Sequence, residues 1–68
     1  MNDRERIGKR IAELRKEKGL SQIGLSELTG IAPGNIARIE KGKYSTGIDL
    51  LGKIGDALGY ELDFVLKK

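Results

Sequence analysis

The stretch from Ser21 to Gly42, SQIGLSELTGIAPGNIARIEKG, leaves little freedom in how this chain can fold. Ser21 is a suitable N-cap, because its hydroxyl can accept a hydrogen bond from an unpaired amide at the start of a helix, and Gln22 then opens that helix. Leu25 and Leu28 are expected to share its buried face. Gly30 fits the C′ position, where a left-handed residue stops a helix without a Cβ clash. Ile31 bridges the turn. Pro33 is pre-set for the first turn of a second helix, in which Ile36 and Ile39 supply an i, i+3 apolar stripe, and Gly42 ends it. The spacing predicts two helices of about two turns each with a turn of three to four residues between them.

That arrangement is the helix-turn-helix pattern, in which the second helix lies in the major groove of DNA. Four runs occur in order along the chain: IGKRIAELRKEKGLSQ, LTGI, NIARIEKGKY and DLLGKIGDALG. On these runs the chain resembles, over residues 7–59, the lambda-repressor-like, Xre/Cro/cI-type helix-turn-helix family. The resemblance implies an all-α fold, a compact domain of four to five helices, and double-stranded DNA as partner. Residues 1–59 would form the DNA-binding domain, with the motif at 21–42, and residues 60–68 a separate C-terminal tail.

Composition narrows the alternatives. With 68 residues the chain holds one domain, and neither cysteine nor histidine occurs, which removes disulfides, thiolate zinc sites and imidazole chemistry. No nucleophile with a base and no phosphate-cradling glycine loop can be assembled, so no enzyme, cofactor or metal is expected. No apolar run reaches membrane-spanning length and the first residues are too charged for a signal peptide, so a cytoplasmic protein with no membrane partner is expected. Residues 1–43 carry ten Lys/Arg against six Asp/Glu, whereas 44–68 carry three against four. A basic front half suits a polyanion, although a solvated charged surface would look the same.

Ahead of the motif, Asn2 or Asp3 can cap a helix running to Lys18, with Ile7, Ile11 and Leu14 as its buried stripe and Gly19 as its stop. Leu20 would then enter the core. The resemblance implies that Arg15 pairs with Glu40 of the second motif helix, through two parallel N–H groups on one carboxylate; otherwise both are surface charges. It also implies that Gln22 clamps a phosphate together with the free amides of its helix. Ser26 is read as a small residue at a helix crossing.

The first turn of the second motif helix, where the family's side chains reach base edges, holds Ala32, Pro33 and Gly34. None of these side chains donates or accepts. Asn35 and Arg38 remain as polar readers, with Arg38 able to address guanine O6 and N7, or else serving in a surface salt bridge, while Ala37 can at most touch a thymine methyl. Pro33, Gly34, Asn35, Ala37 and Arg38 thus make up the expected base-reading set, with a short base code. Gln22, Asn35, Lys41, Lys43, Tyr44 and Ser45 make up the expected phosphate-binding set. Tyr44 is equally readable as a lid on the core.

A further helix from Thr46 or Gly47 to Leu58 carries an apolar arc of Ile48, Leu50, Leu51, Ile54, Ala57 and Leu58. Gly52, Gly55 and Gly59 fall along its edge, marking either close approach of another backbone or simple tolerance. In the tail, Tyr60, Leu62, Phe64 and Leu66 alternate with Glu61, Asp63, Val65 and Lys67, the two-residue period of a half-buried strand. A lone strand leaves its backbone groups unpaired, so a short C-terminal β-strand pairing with a second copy is expected, which resembles the Hip-type antitoxins. The reading is a homodimeric, sequence-specific repressor acting on a palindromic operator. The alternatives are an autorepressor that also binds a toxin and a protein-interaction adaptor with weakened DNA reading.

Overall fold

The computed structural model describes residues 1–68 and contains four helices: α1 (Asp3–Glu17), α2 (Gln22–Thr29), α3 (Pro33–Glu40) and α4 (Ile48–Leu58). Local chemistry sets their ends. Asn2 caps α1 in a reciprocal box, accepting from the Glu5 N–H at 2.9 Å while its own N–H donates to the Glu5 carboxylate at 3.1 Å. Lys18, expected inside α1, is its C-cap. Ser21 accepts from the Gly24 N–H at 2.9 Å, and Pro33 opens α3. Gly30 ends α2 with φ at +76°, a left-handed conformation that costs an L side chain about 1 kcal/mol or more. None of the helices is long and apolar enough to cross a membrane.

The core lies where the four helices converge. Ile11 and Leu14 of α1, Leu25 of α2, Ile31 of the turn, Ile36 and Ile39 of α3, and Ile54 and Leu58 of α4 are buried together, with Ile7, Leu20, Leu50, Leu51 and Ala57 packed around them. Each helix therefore loses its single apolar face to the others.

Two expected core residues face outward. Leu28 is 60% exposed, because α2 turns Leu25 and Thr29 inward and the core lies on the Thr29 side of Leu25. Ile48 is 74% exposed; it stands six residues before Ile54, about 120° round the helix from it.

The tail also departs from expectation. Residues 60–68 form neither helix nor β-strand, and all are exposed. The physical reason is that a strand exists only through a ladder, and this chain offers no second strand to pair with Tyr60, Leu62, Phe64 and Leu66. Only the start of the tail is tied down: the Tyr60 N–H donates to the Gly55 carbonyl at 2.7 Å. A Cβ on Gly55 would lie 2.8 Å from the Tyr60 carbonyl oxygen, whereas one on Gly52 would meet open space. Close backbone approach thus accounts for Gly55 and not for Gly52.

Candidate nucleic-acid interface

The position of α3 is set from behind. Arg15 on α1 donates from Nε to one Glu40 carboxylate oxygen at 2.7 Å and from Nη2 to the other at 3.1 Å, and its Nη1 donates to the Leu20 carbonyl at 2.8 Å. Both side chains are nearly buried, so the fork joins α1 to the last turn of α3 out of reach of solvent. The hydrogen bond to Glu40 raises the Arg15 pKa, burial lowers it, and the attraction of the carboxylate raises it; the net shift is upward. Alongside this pair Gly8 lets α1 sit directly against α3, because a Cβ there would collide with the Ile39 carbonyl and lie 2.8 Å from that of Glu40.

The turn between α2 and α3 is held by Thr29. Its hydroxyl donates to the Leu25 carbonyl at 2.8 Å and accepts from the buried Ile31 N–H at 3.2 Å, so one buried side chain satisfies both sides of the turn. Gly8 and Thr29 escaped the sequence reading. The signals that could have found them are a glycine one position from the Ile7–Ile11–Leu14 stripe and a threonine directly before a helix-stopping glycine.

With α3 fixed in this way, its opposite side is open. Pro33, Gly34, Asn35 and Arg38 are exposed and Ala37 is half-buried. No side chain caps the start of α3, and a Cβ on Gly34 would meet nothing within 4 Å. Pro33 has no N–H, and those of Asn35 and Ile36 donate to the Ala32 carbonyl at 3.0 and 3.1 Å, so the Gly34 N–H is the one first-turn donor left open to an approaching anion. Lys41, Lys43, Tyr44 and Ser45 are exposed just beyond α3. Asn35, Lys41 and Ser45 are free of the side-chain bonds described above.

Three of the expected contact residues, Gln22, Arg38 and Tyr44, are already engaged within the domain. Gln22 donates from Nε2 to a Glu40 carboxylate oxygen at 3.0 Å, extending the Arg15–Glu40 fork to the first residue of α2. Its second amide hydrogen remains available to an acceptor such as a phosphate. Arg38 forms none of the domain's ion pairs, which join Arg6 to Asp3, Arg10 to Glu13 and Arg15 to Glu40. Its guanidinium instead lies over the Tyr44 ring, 5.3 Å from the centroid.

A short α2, a tight turn anchored by the buried Thr29 and Ile31, and an α3 with one face exposed define a helix-turn-helix domain. Over residues 11–65 the chain matches the helix-turn-helix family HTH_3, and it belongs to that family. It is 45% identical over 51 residues to an uncharacterized HTH-type transcriptional regulator of Methanothermobacter thermautotrophicus, covering 75% of this chain and 74% of that protein. It is 30% identical over 60 residues to the immunity repressor protein of Bacillus phage phi105, covering 88% of this chain and 42% of the repressor, so the chain spans less than half that relative's length. Among solved structures it resembles the restriction-modification controller protein C.AhdI from Aeromonas hydrophila, with a TM-score of 0.84 and 34% identity, over 87% of this chain and 89% of that one.

Proposed function

We propose that this chain is the DNA-binding unit of a transcriptional regulator of the repressor type, acting as a homodimer on a palindromic operator whose half-sites lie about 10 bp apart. The observation that carries this reading is the exposed face of α3, where Gly34, Asn35 and Arg38 stand clear of the core beside Lys41 and Lys43 while the buried Arg15–Glu40 fork holds the helix from behind. Asn35 and Arg38 read bases; Gln22, Lys41, Lys43 and Ser45 position the backbone. The names of the phage and archaeal relatives support the coarser part of this reading, a transcriptional regulator of the repressor type.

Dimerisation is assigned to the C-terminal segment, in which Phe64, Val65 and Leu66 are almost fully exposed beside a groove formed by Ile7, Ile11 and Leu14 of α1 and Ile54 and Leu58 of α4. Apolar side chains left this bare are stabilised when a second surface covers them. The antitoxin alternative leaned on a C-terminal strand, which the chain does not contain.

The test is selection of bound duplexes from a random pool at about 150 mM salt, where non-specific binding is weak. Enrichment of a palindrome is expected, and truncation after Tyr60 should leave a folded monomer that binds a single half-site. A pool that stays random would reject DNA reading and favour a protein-interaction adaptor.

A further inference from the structure

Arg38 and Tyr44 come from different elements, the last full turn of α3 and the loop behind it. Gly42, with φ at +72°, bends that loop back on the helix. Its N–H donates to the Ile39 carbonyl at 3.0 Å, and the next N–H, of Lys43, donates to the Arg38 carbonyl at 3.0 Å. The chain is thereby returned to the helix from which it came, and the Tyr44 ring is brought under the Arg38 guanidinium. Tyr44 also borders a small cleft with Ile7, Ile39 and Leu51.

An aromatic face attracts a cation through its quadrupole without occupying the cation's N–H donors in conventional hydrogen bonds. Arg38 also has no carboxylate partner. Its guanidinium is therefore held in place with its donor edge still free. An arginine unrestrained at this position would have to give up its rotamer freedom only when DNA arrives, which weakens the contact it makes.

We infer that Tyr44 is a positioning residue for Arg38. Its ring holds the guanidinium where paired N–H groups address one guanine, so Tyr44 sets specificity at a base pair it does not itself read. This inference rests on the reading of α3 as the DNA-reading helix. It differs from a phosphate contact by the Tyr44 hydroxyl, which would strengthen binding to every sequence alike.

The experiment uses the duplex selected by the unaltered protein and a panel of its single base-pair variants, with affinities measured by fluorescence anisotropy at about 150 mM salt. Arg38→Ala should abolish the preference at one base pair. Tyr44→Leu should relax the preference at that same pair by about two- to fivefold, the scale of an exposed cation–π contact, and Tyr44→Phe should keep it. In the Arg38→Ala background, Tyr44→Leu should change nothing further there. Thermal melts of both Tyr44 variants separate loss of the platform from loss of the fold.

The inference is overturned if Tyr44→Leu leaves the Arg38-dependent preference intact. It is also overturned if the Phe and Leu variants weaken all duplexes equally, which would assign the role to the hydroxyl. Failure of the unaltered protein to select any sequence would instead reject the DNA-reading role of α3, and the positioning role with it.

Discussion

Arg15 and Glu40 meet as a planar fork, with two of the arginine's N–H groups on the two oxygens of one carboxylate and a third donor on the Leu20 carbonyl. Removing either partner leaves the other charge buried and unpaired. Glu40→Ala or Arg15→Met should each cost about 3–5 kcal/mol, a large part of the stability of a domain this small. Urea denaturation measures the loss; a cost under about 1 kcal/mol would mean that solvent reaches the pair.

The same fork predicts a flat alkaline response. The pKa of Arg15 is raised in the folded chain, so its contribution is complete below the unfolded value and is lost only as pH rises through the folded one. Because arginine titrates far above the neutral range and Arg15 is shifted further upward, the stability difference between the unaltered chain and Arg15→Met should stay constant from pH 7 to about 10. A decline over that interval, measured by denaturation at several pH values, would contradict the assignment.

Glycines in two helices should respond with opposite signs to the same substitution. Gly8→Ala drives a methyl into the carbonyls of α3, and both groups are backbone, so relief requires α1 to move; a loss of about 1–3 kcal/mol is expected. Gly52→Ala meets open space and should gain about 0.5–1 kcal/mol through lower unfolded-state entropy and better helix propensity. Paired thermal melts test both.

Thr29→Val keeps the shape of the side chain and removes its oxygen. The buried Ile31 N–H then loses its acceptor, at a cost of about 1–3 kcal/mol. Thr29→Ser, which keeps the oxygen, should cost less. Equal losses for the two variants would show that the methyl group matters more than the hydrogen bond.

Lys43→Ala should lower affinity for all duplexes by a similar factor and reduce the slope of log affinity against log salt by about one, as for a single phosphate contact. Loss confined to particular sequences would move Lys43 to the base-reading set.

Helix ends were legible because punctuation marks them. Ser21, Gly30, Pro33 and Gly42 each do something at a terminus that few other residues do; α2 lies between Ser21 and Gly30, and α3 starts at Pro33 and ends two residues before Gly42. Side-chain facing was less legible. A period of 3.6 places Leu25 and Leu28 near one another but does not say on which side of Leu25 the core lies, and Thr29 took the inward position. The tail failed for a related reason. Alternation says what a strand would bury, not that a partner strand exists. Within the candidate site the exposed residues of α3 could be identified by position alone, whereas the engagement of Gln22 by Glu40 and the seating of Arg38 on Tyr44 join residues that only the folded chain brings together.

The open space around Gly34 bears on how such a protein changes its target. Positions 34, 35 and 38 point away from the core, while Ile36, Ile39 and Glu40 on the same short helix carry the packing. On the proposed reading of α3, a lineage can therefore exchange the letters of its recognition code one at a time, each intermediate still folding, because the substitutions that would alter the address are not those that hold the helix. The same separation makes these three positions the natural ones to randomise in a library when a new operator is wanted.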